Sequence, residues 1–417
     1  MNRIVVVILV GLFTVPLIVF LLPSVSTADA ANHGIVRINE RDRIGKAMPD
    51  AGTVTRDSLL RVCDTKHTTK SPSKDPARIG SQATPAKPLS GDTMKFTRLS
   101  VKDPGANNIE AFSFLIPAGW KTEGGVQWLP DHLVLANLLM KITDPKTGAA
   151  IEFLPGQYFG WSYHLAMAKP QGGVYMGVIQ WPPIQDPAEF IQTMYGPGPL
   201  SRLQGARVLK TEDFPKVAAE LSNFHGSQAR YARVRYEYQD GGEMWEEDVY
   251  VTLVHSPSQT GAFWSGIAHS FRAHRGQLDR LTPVMNTTIN TQRRSPEWFG
   301  YYMYVRKLFV DRNIQGVRNA GILSEAISRN SAEIQKMFED SYRQANQSQD
   351  RISRSYSEYI RGVDTYRNPY ENRPIQLPSG YNGVWVNSSG EYLLSNQSGF
   401  NPNEGSTIEW RRMERSP

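Results

Sequence analysis

Cysteine is nearly absent: Cys63 is the only one in 417 residues. A lone thiol excludes an internal disulfide, so stability must come from buried area and hydrogen bonds. Cys63-Asp-Thr-Lys-His67 brings two soft ligands close together, but no second pair completes a zinc set and no metal site is expected. Catalytic signatures are missing too. The chain has no G-x-S-x-G elbow, H-E-x-x-H helix, G-x-x-x-x-G-K-[ST] phosphate loop or dinucleotide glycine fingerprint. No motif therefore nominates a catalytic or cofactor-binding residue. Charge of one sign does not dominate either. The excess of 46 Lys and Arg over 40 Asp and Glu leaves +6, compatible with an anionic envelope surface; no nucleic-acid partner is expected.

What is present begins at the N-terminus. Arg3, an apolar run over residues 4–22 and Ala28-Asp29-Ala30 stand in the order of a secretory leader. Cleavage after Ala30 is expected; the alternative is an uncleaved membrane anchor over residues 4–22. Either outcome places the body of the chain outside the cytoplasm, periplasmic or secreted. Residues 31–93 are polar and lack apolar periodicity, which predicts a mostly disordered linker.

From Met94 onward strand patterns dominate. Residues 111–116 run into a Pro117-Ala-Gly-Trp120 turn, residues 149–154 form a short buried run, and residues 173–181 read as one strand ending at Pro182-Pro183. Asp186-Pro187-Ala-Glu189 is a helix start, with a capping carboxylate and proline at the first helical position. A further helix is expected from Phe214-Pro215. The clearest local signal is a hairpin turning at Asp240-Gly241-Gly242. Val234, Tyr236 and Tyr238 share a face there with Trp245, Val249, Val251 and Leu253. Arg233 and Arg235 face Glu246 and Asp248, which predicts a solvated, charge-paired surface. An amphipathic helix over residues 277–289 contains Pro283.

Residues 298–360 read as mainly helical. Trp298, Tyr301, Tyr304, Arg306 and Lys307 combine basic and aromatic character, as a membrane-surface helix does, although burial against the sheet is the favoured reading. Ile334, Phe338, Ala345, Ile352 and Tyr359 make a thin heptad-like stripe that would serve coiled-coil self-association. In the tail, residues 381–387 and 391–395 flank Ser388-Ser389-Gly390 as a second hairpin.

Phe112-Ser-Phe-Leu-Ile-Pro117-Ala-Gly-Trp120-Lys121, together with Gly266…Ser270-Phe271 before a helix, resembles PsbP-like proteins over about residues 94–290. The resemblance implies an α-β-α sandwich used as a non-catalytic accessory or binding module, with no active site. The expected fold is thus α+β: an antiparallel sheet with flanking helices (94–290), a long helical segment (291–362) and a small β-hairpin tail (363–417). The expected function is an accessory or binding protein of the cell envelope, its partner an envelope protein or an anionic surface. Two alternatives stand beside it. One is a hydrolase of envelope polymers, with Glu246, Asp248 and His255 as nominees; the other is a self-associating structural protein.

Overall fold

The computed structural model describes residues 6–9, 17–20, 93–163, 170–222, 227–310, 342, 347, 350–352 and 362–416. Most of the expected leader, the linker up to residue 92, Cys63 and His67 lie outside the described residues. Of the leader, β1 (Val6–Leu9) and β2 (Leu17–Phe20) pair antiparallel. Among the described residues no helix is long and apolar enough to cross a membrane.

From Thr93 the chain runs through β3 (Thr93–Asp103), β4 (Ile109–Pro117), β5 (Lys121–Trp128), β6 (Ala136–Thr143), β7 (Ala150–Phe153) and β8 (Gln157–Ser162). A small hairpin follows, β9 (Val174–Tyr175) and β10 (Val178–Gln180), then α1 (Pro187–Phe190), β11 (Arg207–Asp213) and α2 (Pro215–Ser222). The long strands β12 (Gln228–Asp240), β13 (Glu243–Pro257) and β14 (Gly261–His274) precede α3 (Leu278–Asn290), β15 (Arg293–Arg294) and α4 (Pro296–Val310). The tail adds β16 (Val363–Asn368), β17 (Arg373–Pro378), β18 (Gly383–Asn387), β19 (Tyr392–Ser395), β20 (Trp410–Arg412) and β21 (Glu414–Arg415).

These strands form three larger sheets. One has the order β11-β12-β13-β14 and continues through both β7-β6-β5 and β8-β10-β9. A second has the order β15-β4-β3-β19-β18-β20, and a third is β17-β16-β21. The long hairpin turns at Gly241 and Gly242, both at positive φ, where glycine avoids the clash a Cβ would bring. Its register sets Val234 opposite Val249 and Arg235 opposite Asp248.

Packing follows from strand alternation. One face of the large sheet buries Phe159, Val249, Val251, Leu253 and Trp264 beneath Phe190, Tyr195 and Leu203. Its opposite face meets the second sheet, where Phe114 stacks on Phe153 with centroids 5.6 Å apart. Val217, Met285, Ile289, Trp298 and Tyr302 from the helices fill the same layer. Between the second and third sheets lies another core, containing Phe96, Leu115, Tyr366, Leu377, Tyr392 and Leu394.

This architecture corrects the α+β expectation of an α-β-α sandwich followed by a long helical segment. Among the described residues strand outweighs helix, 48% to 21%, and the layers are mostly sheet against sheet. The longest helix among the described residues is the 15-residue α4. The physical reason is non-local pairing: β19, in the tail, hydrogen-bonds β3 with Tyr392 opposite Phe96 and Leu394 opposite Met94. The face of β12 and β13 that carries Arg233, Arg235 and Asp248 is not solvated either. Its cross-strand pairs form, with Arg235 at 2.7 and 2.8 Å from Asp248, but Asp248 is 0% exposed. Asp279 at the start of α3 takes the other side of Arg235 at 2.7 Å. Residues 173–181 are two strands rather than one. Val178 pairs with Tyr175 around Met176 (φ 49°) and Gly177 (φ 74°), the two left-handed positions of a tight hairpin turn.

Asp103 ties these layers together. It is fully buried, and its carboxylate accepts hydrogen bonds from Trp128 Nε1 (2.8 Å), Trp298 Nε1 (2.5 Å) and the Gly105 amide (2.8 Å). The second sheet, the large sheet and α4 therefore converge on one side chain.

Candidate functional site

The site arises from a fork in the large sheet. β14 is paired by β8 over Gly261–Gly266 and by β7 over His269–Arg272. Between those two strands run Leu154, Pro155 and Gly156. Leu154 still donates its amide to Ala268 O at 3.1 Å, but Pro155 has no N–H to continue the ladder. Beyond this point the two branches separate, one through β6 to β5, the other through β10 to β9. A cleft of about 240 Å³ opens between them, walled by loop residues after β5, by Pro155 to Tyr158, and by the β9–β10 hairpin.

Two side chains in this cleft hold buried polar atoms without a hydrogen-bond partner among the described residues: Tyr158 Oη and His132 Nδ1. Tyr158 is 6% exposed, and burial raises its pKa well above the ordinary phenol value, so it stays a neutral O–H. Gly156 makes room for that hydroxyl, since a Cβ there would sit 2.8 Å from Tyr158 Oη. Tyr195, whose pKa burial also raises, donates to Pro155 O at 2.8 Å and holds the fork in place. Asn137, 9% exposed, adds a further amide to the lining.

The hairpin closes one side. Leu133 donates its amide to Met176 O at 2.8 Å. Gly177 lies flat on the His132 ring, and a Cβ in its place would come within 2.1 Å of Cδ2. Met176 occupies the left-handed region, where residues with a β-carbon are disfavoured. Such backbone cost concentrates where a structure has to hold a particular shape. Val174 and Tyr175, at the rim, are 66% and 61% exposed.

Across the sheet Pro155 borders a second, more open groove of about 520 Å³ that reaches Lys141, Glu152 and Arg202. Glu247, 0% exposed, accepts from Arg202 at 2.6 and 2.8 Å and from Tyr238 Oη at 2.9 Å. Glu152 accepts from Arg202 at 2.9 Å and pairs with Lys141 at 3.1 Å. Burial alone would lower the pKa of Arg202, but the Glu247 and Glu152 carboxylates raise it above the usual guanidinium value. The charges are mutually satisfied, so this network clamps residues 196–206 onto the sheet. Tyr158 Oη and His132 Nδ1 in the fork have no such partners, and the fork is the better candidate.

The three residues nominated for hydrolysis are not brought together. Glu246 accepts from the Gly276 amide at 3.2 Å, and Asp248 is engaged by Arg233 and Arg235. His255, seven positions further along β13, faces the opposite side of the sheet at about 23 Å, using ~3.3 Å per residue. Burial lowers its pKa, and its ring stacks on Trp264 at 5.6 Å. Among the described residues no group of three or more His, Cys, Asp and Glu side chains is placed to hold a metal ion.

Of the residues expected at a membrane surface, Trp298, Tyr301 and Arg306 are buried, while Lys307 is exposed and Tyr304 half-buried. In the heptad-like stripe Ile352 is buried in this chain's own core at 1% exposure; Ile334, Phe338, Ala345 and Tyr359 lie outside the described residues. Reading the sequence missed Tyr158 and His132, because nothing local reports a strand fork. It also missed Glu152 and Glu247, although both interrupt otherwise apolar inward registers, a usable signal.

No protein-family model matches the chain, and no curated protein is significantly similar to it.

His269 supplies a pH prediction. It is 1% exposed, stacked on Tyr250 at 5.0 Å, and burial pushes its pKa down to about 3. The unfolded chain binds a proton below about pH 6.5 that the folded protein refuses. Stability from this residue is complete above pH 6.5 and declines as pH falls towards 3, by about 1.4 kcal/mol per pH unit. Buried His255 acts in the same direction. Urea unfolding at pH 7.5 and 5.5 should show the loss, because the carboxylates titrate lower. His269→Phe is expected to flatten the slope, and an unchanged slope would contradict this assignment.

Proposed function

We propose that this chain is a non-catalytic, extracytoplasmic binding protein of the cell envelope, and that the fork cleft is where it contacts its ligand or partner. The extracytoplasmic part rests on Arg3, the apolar run over residues 4–22 and the Ala28-Asp29-Ala30 site. The binding part rests on one observation: Tyr158 Oη and His132 Nδ1 are buried in a concave site without internal partners. An unsatisfied buried polar atom costs about 1–3 kcal/mol. Such an atom in a folded chain answers to strain, to a bound water or ion, or to a functional use, and its place in a concave site favours the last. Dispersal of Glu246, Asp248 and His255 removes the motive for the hydrolase alternative.

A photo-crosslinking residue at Val174, on the cleft rim, tests the reading in intact cells. An ultraviolet-dependent adduct with an envelope component is expected. None should form from the same residue at Glu404, which is exposed in the tail. Equal labelling from both positions, or recovery of the whole chain from the cytosol with Met1 intact, would count against the proposal.

A further inference from the structure

Two stretches of the chain are almost without charge. Residues 153–185 contain one Lys and no Arg, Asp or Glu, and residues 249–271 contain none of the four, although 21% of the chain is charged. The fold places these stretches side by side. β8 pairs with the first half of β14, β10 with β8, and β9 with β10 at the sheet edge. The Tyr163 amide bonds Thr260 O at 3.0 Å in the turn beyond. The same branch carries the three most exposed large apolar side chains among the described residues: Val174 at 66%, Tyr175 at 61% and Tyr163 at 53%. Register sets Val174 beside Ile179 and Ile179 beside Phe159, so Val174, Ile179 and Trp161 share a face. Ile179 and Trp161 are themselves only half-buried. An acid, Asp131, stands two positions before the Leu133 amide that bonds Met176 O, which limits the uncharged surface on the side of the hairpin turn.

A contiguous exposed apolar patch marks a contact surface, and the lack of charge says of what kind. A protein partner is held in register by a polar and charged rim, which this branch does not offer. An anionic polymer needs cations, and among its described residues the branch has none. A bilayer of neutral lipids needs neither. Tyrosine and tryptophan suit its interface, with the ring in apolar surroundings and the hydroxyl or indole N–H among the headgroups. A surface without ionised side chains also gives up no ionic hydration on entering. We propose that the β8–β10–β9 branch docks on the headgroup layer of a phospholipid bilayer without net charge, with Val174, Tyr175 and Tyr163 withdrawn from water. This goes beyond the cleft reading and holds whether or not the cleft takes a ligand.

Residues 4–22 are apolar enough to enter a bilayer on their own, so the readout must be local. Gln171, exposed beside the hairpin, is replaced (Gln171→Cys) in a full chain carrying Cys63→Ser and labelled with nitrobenzoxadiazole, whose emission shifts to the blue on leaving water. Vesicles of phosphatidylcholine alone should produce that shift. It should be equal in low and high salt and unchanged by added phosphatidylglycerol, because salt screens only charges. The same label on Glu404→Cys should not shift. Val174→Ser combined with Tyr175→Ser should abolish the shift at Gln171→Cys. The inserted population then falls about a hundredfold, about tenfold for each side chain left in water. Both side chains are exposed, so the variant keeps its fold. No shift with phosphatidylcholine overturns the proposal, as does a shift that needs phosphatidylglycerol or disappears in high salt. A shift that survives the double replacement, or one of equal size at Glu404→Cys, also overturns it, since the contact then lies elsewhere. Each of these results leaves the cleft reading to be decided by the Val174 adduct.

Discussion

A chain ending at residue 361 is expected to lose its cooperative unfolding transition. Tail strand β19 pairs with β3, so the deletion strips the hydrogen-bonded neighbour from residues Thr93–Phe96. It also uncovers Phe96, Leu115 and Val284, which are 0%, 5% and 1% exposed in the intact chain. Burial of such a side chain contributes about 1.5–3 kcal/mol. Three of them, before counting the broken ladder, amount to about 5–9 kcal/mol. That is comparable with the whole stability of an ordinary domain, about 5–15 kcal/mol. Circular dichroism melts of the two chains decide the matter. A shortened chain that melts at the full-length temperature would show that β3 and β4 do not depend on the tail.

The second large effect belongs to Asp103. Replacing it with alanine leaves two indole N–H groups without an acceptor, and Trp298 is 0% exposed, out of reach of water. At about 1–3 kcal/mol for each unsatisfied buried donor, Asp103→Ala should destabilise by about 3–5 kcal/mol. Asp103→Asn keeps one oxygen and should cost about half as much. The indoles themselves report the change, because Trp128 and Trp298 pack with Tyr302 in one aromatic cluster. Urea unfolding followed by tryptophan fluorescence would measure both variants. Equal, small losses for the two would mean that the indoles find other acceptors.

Asp103 also illustrates what could be read in the sequence. Features set within a few residues were legible. Asp186 caps its helix by accepting from the Glu189 amide at 2.8 Å, and the Asp240-Gly241-Gly242 turn sets the register of β12 and β13. The tail hairpin also forms, with Val386 opposite Tyr392. Features set by chain segments far apart were not. Thr93 and Ser395 meet at 3.4 Å although 302 positions separate them, and no local periodicity encodes that pairing. The α-β-α sandwich reading failed for this reason: strand partners recruited from distant parts of the chain decide the class. Met176-Gly177 escaped notice because methionine is an unusual occupant of a left-handed turn position. The fork escaped because a strand pattern does not say which of two neighbours each half of β14 will choose. Glu247 could have been found, as a carboxylate in phase with Trp245, Val249 and Val251.

Binding, in this account, is the reason a buried phenol goes unpartnered. Unfolding free energies of the ligand-free wild type and Tyr158→Phe are its most direct test. Removing the hydroxyl should make the free protein more stable, by about 1–2 kcal/mol. Equal or reduced stability of the phenylalanine variant would mean that the hydroxyl is already satisfied within the fold, and the cleft would lose its claim to be a binding site.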